Sequence, residues 1–177
     1  MKKIRTPIFY GFVIALAGTV LMISLLALDL LGPNAISSDR EMIGGTILFL
    51  MLYLFLLIGI YFALKKKKQQ NNSQLSFKNS LLLGFMISIS TALFSVVFTY
   101  IFYEILYPKY VNELLLAMKE KMNLLSIPKE KIDEKLAERT TYYSTAIQSG
   151  YSFIGNFITG MAFTLLLSFF LKTNKKI

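Results

Sequence analysis

The chain has 177 residues, 55% of them hydrophobic, and a formal net charge of +9 from 19 Lys and Arg against 10 Asp and Glu. It has no cysteine and no histidine, which excludes disulfides, thiolate chemistry and the two commonest transition-metal ligands. The positive charge sits in the flanks of long apolar runs rather than in a basic patch, so no nucleic-acid partner is expected and the lipid bilayer is.

Four stretches, about 8–31, 43–64, 81–103 and 151–171, are long enough to cross a hydrocarbon core, which needs roughly 20 apolar residues in a helix. The first follows Met1-Lys2-Lys3-Ile4-Arg5 and contains Ala15-Leu16-Ala17, so it has some features of a signal peptide. It runs on to Leu31, well past the roughly 7 to 15 residues of a signal core, and reads as a retained spanning helix. A short turn, Gly32-Pro33-Asn34 to Glu41, leads to the second span. Tyr53 lies near its middle and is expected to turn into the bundle, at the depth of Thr91 and Ser95, because a phenol facing lipid lacks a hydrogen-bond partner. Lys65 to Lys68 are expected to end this helix abruptly, with Gln69 to Gln74 as a loose polar linker and Ser76 as cap of the third helix.

The third span carries Ser80, Gly84, Ser88, Thr91, Ser95 and Thr99 at successive spacings of 4, 4, 3, 4 and 4, so one face is small or hydroxylated throughout. Such a face is either a packing seam or the lining of a solute path; packing is the first expectation, since no ionisable residue lies at depth. The segment after it has helical periodicity. Val111, Leu115, Met118 and Met122 make an apolar stripe on a helix of roughly 109–125, and Ser126-Ile127-Pro128 starts a second, more charged helix to Tyr143. The expected helical hairpin, about 109–143, uses its stripe to pack on itself or on the bilayer surface, or else to dock a membrane or extracytoplasmic protein partner. In the fourth span Asn156 falls roughly 9 Å below the outer boundary and needs a partner. Asp29, Glu104 and Asn156 together are the candidate polar pocket.

All 10 carboxylates fall in the segments on one side of these spans. Segments 1–9, 65–80 and 172–177, on the other side, hold Lys and Arg and no carboxylate. The expected arrangement is an all-α integral membrane protein with four transmembrane helices, both termini cytoplasmic, and the hairpin between helices three and four outside. Seven tyrosines, Tyr100, Tyr103, Tyr107, Tyr110, Tyr142, Tyr143 and Tyr151, lie near the outer boundary, where an apolar ring with a polar tip is favoured.

Gly59-Ile60 before the Lys65 run, Leu75-Ser76-Phe77 with Gly84 beyond it, Pro108-Lys109-Tyr110 opening a charged helical segment, and a last span ending in Lys together resemble the bacterial DUF4199 family. The resemblance covers nearly the whole chain through pattern and spacing. It implies a multi-pass membrane protein of a family of unknown function, with no defined catalytic or ligand residues to carry over. The expected role is a non-enzymatic scaffold or accessory component of the bacterial inner membrane, ahead of a small-solute transporter or channel component and of a membrane-surface enzyme. The last has little to work with: there is no Gly-rich phosphate loop and no carboxylate pair at recognisable spacing. No cofactor or metal is expected.

Overall fold

In a computed structural model, which describes residues 2–173, the four apolar stretches become helices α1 (Lys2–Ala27), α3 (Glu41–Gln70), α4 (Phe77–Tyr100) and α7 (Thr145–Leu171). All four are long and apolar enough to cross a membrane. Helix α4 is prolonged by a π-helical turn, Ile101–Leu106. The shorter helices are α2 (Pro33–Ser37), α5 (Tyr110–Leu124) and α6 (Lys129–Tyr142). Among the described residues there is no strand. Met1 and the basic residues Lys175 and Lys176 of the expected flanks lie outside them.

Two local expectations need correction. Helix α3 does not stop at Leu64 but continues through Lys65–Lys68 to Gln70. The end of an apolar run does not by itself break a helix: lysine is a good helix former and is favoured at the C-terminal end of the helix dipole. The connection that follows is not loose either. Asn72 and Ser73 adopt positive φ, and Leu75 is buried. Thr173 N–H donates to Leu75 O at 2.9 Å, Leu75 N–H to Thr173 Oγ1 at 3.1 Å, and Lys68 Nζ to Leu171 O at 3.0 Å. These bonds tie the α3–α4 connection to the end of α7. Ser76 caps α4 as expected, its hydroxyl accepting from Asn79 N–H at 3.3 Å.

The long helices form a ring in the order α1, α4, α7, α3, so α3 and α4, neighbours in sequence, make only sparse contact across it. Helix α4 is the best packed, against α7 on one side and α1 on the other. An apolar core of Ile14, Leu56, Ile60, Ala63, Leu64, Leu75 and Ile87 fills the half of the bundle nearest Lys65–Lys68. The outside of the ring is at least as apolar as the inside: Phe9, Val20, Phe49, Leu50, Leu93, Ile158 and Phe170 are all more than half exposed. The fully buried set, by contrast, includes Ser80, Ser88, Thr91, Thr164 and Ser168.

At the other end of the bundle, the segment between α1 and α3 is more than a turn. Gly32, with φ 79° and the Leu26 and Tyr110 side chains where a Cβ would stand, lets the chain reverse, and Pro33 then starts α2. Ala35 and Ile36 of α2 are buried, and α2 lies along α5.

Candidate functional site

The most extensive helix contact is between α4 and α7. A Cβ placed on Gly84 would collide with the Thr164 side chain, and one on Gly160 would come within 2.5 Å of Ser88 Oγ and 2.8 Å of its Cβ. The two helices run antiparallel with small residues interlocked, so their backbones approach closely and make dispersion contact. The hydroxyls of this face turn back on their own helix. Ser80 Oγ donates to Phe77 O at 2.8 Å, Ser88 Oγ to Gly84 O at 2.8 Å, and Thr91 Oγ1 to Ile87 O at 3.0 Å. With their donors spent on carbonyls four or three residues back, they present little to a passing solute. Thr99, nearer the far end, is half-buried.

Asn156 finds its partner across the same seam: Nδ2 donates to Ser95 Oγ at 3.2 Å and to Ser152 O at 2.8 Å. Thr164 Oγ1 and Ser168 Oγ are different, since both are buried and neither has a hydrogen-bond partner among the described residues. These two were not anticipated. They extend a strict four-residue repeat, Ser152, Asn156, Gly160, Thr164 and Ser168, which marks the α7 side of the seam as plainly as the hydroxyl pattern marks the α4 side.

The three residues of the expected polar pocket are each engaged with a different partner. Asp29 Oδ1 accepts from Asn34 Nδ2 at 2.7 Å, the Glu104 carboxylate accepts from the Thr145 hydroxyl, and Asn156 binds Ser95. Asp29 lines a cavity of about 240 Å³ with Asn34, Tyr107 and Glu113, to which neither Glu104 nor Asn156 contributes. The π-turn sets Glu104 on the exposed surface beside α7 rather than toward Asp29. Tyr53 is half-buried, its ring edge-on to Phe163 of α7 at 6.4 Å and against Phe49 at 4.2 Å, but among the described residues its hydroxyl has none of the hydrogen bonds expected to draw it inward. Its neighbour is α7, not the Thr91 and Ser95 of α4, because α3 and α4 lie across the ring from each other.

On α5 the buried face is rotated by about one residue from the expected stripe. Leu114 and Ala117 are buried with Ile36 of α2, flanked by Tyr110, Met118 and Tyr143. Val111, Leu115, Met118 and Met122 are half-buried, while Leu116, Leu124 and Leu125 are exposed. The rotation follows from the cover: α2 meets the α5 face bearing Tyr110, Leu114, Ala117 and Lys121. Lys121 Nζ completes that contact, 2.8 Å from Asp39 and 3.4 Å from Glu41, and the hydrogen bond to Asp39 leads the effects that raise its pKa. Tyr110 sits edge-on to Phe102, Tyr103 and Tyr107 at 5.2 to 5.6 Å. Burial, reinforced by Tyr143 and Tyr107, pushes its phenol pKa up to about 12. The Tyr107 hydroxyl donates to the Glu113 carboxylate, which raises the Tyr107 pKa in turn. Several of the tyrosines expected as an interfacial belt therefore form a packed aromatic cluster. Among the described residues no three carboxylates gather where they could hold a metal ion.

Fold and seam together define an all-helical bundle with four helices of membrane-spanning length and composition, joined by small-residue packing. The chain belongs to the DUF4199 family, described as proteins of unknown function, whose model matches residues 9–173. No curated protein and no solved structure matches it.

Proposed function

We propose that this chain is a four-span protein of the bacterial cytoplasmic membrane that acts as a non-enzymatic scaffold or accessory component. Both termini and the Lys65–Lys68 block face the cytoplasm, and α5–α6 form a helical hairpin outside. The observation that carries the reading is the closure of the seam: the Ser88 and Thr91 hydroxyls are spent on their own helix, Asn156 is spent on Ser95, the unpartnered Thr164 and Ser168 hydroxyls are fully buried, and Gly84 and Gly160 bring the backbones too close for a solute path. Support for the membrane comes from the exposed apolar side chains around the ring, a surface far larger than the few hundred Å² that soluble monomers tolerate. Support for the orientation comes from the carboxylate-free end, whose segments hold 11 of the 19 Lys and Arg, while all 10 carboxylates lie at the other end. The α2–α5 contact favours internal packing as the principal use of the hairpin.

Two measurements test this. The chain has no native cysteine, so Ser126→Cys is expected to react with an impermeant thiol reagent on intact cells, and Ser73→Cys only after permeabilisation. Labelling of position 73 from outside would overturn the orientation. Purified protein in proteoliposomes is expected to pass ions and small neutral solutes no faster than protein-free vesicles; a flux abolished by Ser88→Leu would replace the scaffold with a channel.

A further inference from the structure

A cavity of about 500 Å³ opens at the basic end of the bundle, between α1, α3 and α4. Its size falls within the range of ligand sites. Lys66 and Lys67 line it, with the amides of Gln70 and Asn79 beside them, and Leu82 and Met86 of α4 supply an apolar wall. The four consecutive lysines thus have different surroundings. Lys65 lies over the Tyr61 ring, 5.7 Å from its centroid, and with Lys66 borders a second, more open space of about 550 Å³ beside Tyr10 and Phe62, while Lys68 donates to Leu171 O. Lys66 and Lys67 share this cavity, where no carboxylate joins them; among the described residues the ion pairs are those of Lys121 at the opposite end.

Membrane orientation accounts for lysines at this end, but not for two of them converging on a cavity with one polar and one apolar side. A ligand that fits has a phosphate to meet the two ammonium groups and the amide donors, and a hydrocarbon tail to follow the wall. Leu82 is 58% exposed and continues that wall onto the apolar outer face of α4, so a chain longer than the cavity has a place to run. The first turn of α4, which contributes Asn79, adds the positive end of its dipole. We propose that this cavity binds the phosphate of an anionic phospholipid from the leaflet at the basic end, with the start of an acyl chain against Leu82 and Met86. A zwitterionic lipid offers the same phosphate with its own cation attached and binds more weakly.

The proposal rests on the membrane reading, which is tested separately by whether the protein stays in the membrane fraction after an alkaline carbonate wash. The site itself is tested with a reporter. The chain has no tryptophan, so Leu82→Trp adds a single indole at the cavity wall, excited selectively at the red edge where the 10 tyrosines do not absorb. In vesicles, brominated phosphatidylglycerol is expected to quench it with about thirtyfold higher apparent affinity than brominated phosphatidylcholine, the order expected for two lysines facing an anionic lipid. Lys66→Gln/Lys67→Gln should abolish the preference, while Lys78→Gln/Lys172→Gln, which removes the same charge outside the cavity, should leave it. Asn79→Asp is the second variant: it places a carboxylate at the rim, suits the first turn of α4, and should also abolish the preference even if the double lysine variant does not fold. Equal quenching by the two lipids, or equal loss in the two lysine pairs, would overturn the site in favour of diffuse surface charge. Loss of the preference on adding inorganic phosphate at constant ionic strength would overturn the lipid as occupant in favour of a free phosphate.

Discussion

The seam between α4 and α7 makes a quantitative test of what holds the bundle together. Gly84→Ala adds one methyl group where the Thr164 side chain already stands, with Thr164 Cβ only 2.8 Å from the new carbon. That is closer than real carbon contacts, and a backbone-anchored Cβ cannot rotate away, so the helices must separate locally. Overpacking of this kind costs about 1–3 kcal/mol. Moving the lost volume to the other helix should relieve it. Thr164→Gly alone forfeits packing and adds a flexible residue to a helix interior, at about 1 kcal/mol or more. The double variant Gly84→Ala/Thr164→Gly keeps a side chain in the gap but carries it on α4. It is therefore expected to be more stable than the sum of the single losses predicts, with a coupling of about 1 kcal/mol or more. The assay is reversible unfolding in mixed micelles of mild detergent and dodecyl sulfate, followed by helical circular dichroism. Gly155→Ala, whose Cβ would meet nothing within 4 Å, serves as control and should be neutral or slightly stabilising. If Gly84→Ala is as stable as Gly155→Ala, or if the Gly84 and Thr164 effects simply add, close approach of α4 and α7 is not what the small residues are for.

Three further outcomes follow from particular side chains. Thr164→Val and Ser168→Ala each remove a buried hydroxyl that has no partner, and should leave stability unchanged or raise it by up to about 1 kcal/mol in the same unfolding assay; a loss greater than that would mean the hydroxyls are bonded. Ile36→Ala should loosen α5 at a cost of about 2–4 kcal/mol. Lys121→Gln, which breaks two solvent-exposed ion pairs, should cost about 1 kcal/mol or less, and limited proteolysis of the α5–α6 connection ranks the two. Tyr110 has a folded-state pKa near 12 against 10 for the free phenol, so its protonated form stabilises the fold fully below pH 10 and that contribution is lost as pH rises from 10 through 12. Tyr110→Phe should flatten the alkaline decline in stability over that window and remove one late step from the tyrosinate absorbance titration; an unchanged titration would show that Tyr110 is not buried.

Much of the architecture is written locally. The length of each apolar run sets four helices of spanning size, Ser76 caps α4, and the stripe and Pro128 place α5 and α6 within one residue at each end. The confinement of every carboxylate to the segments on one side of the spans is equally legible, because it needs only the order of segments along the chain. The small residues of α4 also announced a packed face. What sequence patterns did not decide is which way each helix is turned and what it meets. In a soluble helix the apolar face marks the inside; here the outer faces of α1, α3, α4 and α7 are as apolar as the core, so that signal is missing and rotation is set by neighbours alone. Tyr53 therefore meets Phe163 of α7, Asn156 meets Ser95, and Asp29 and Glu104 part company, all consequences of the ring order that sets α3 diagonal to α4. On α5 the buried face turned by one residue because the cover came from α2, a five-residue helix too short to show periodicity. The convergence of Lys66 and Lys67 on one cavity is likewise tertiary: consecutive residues of a helix point about 100° apart, and only α1 and α4 closing around them make a shared space.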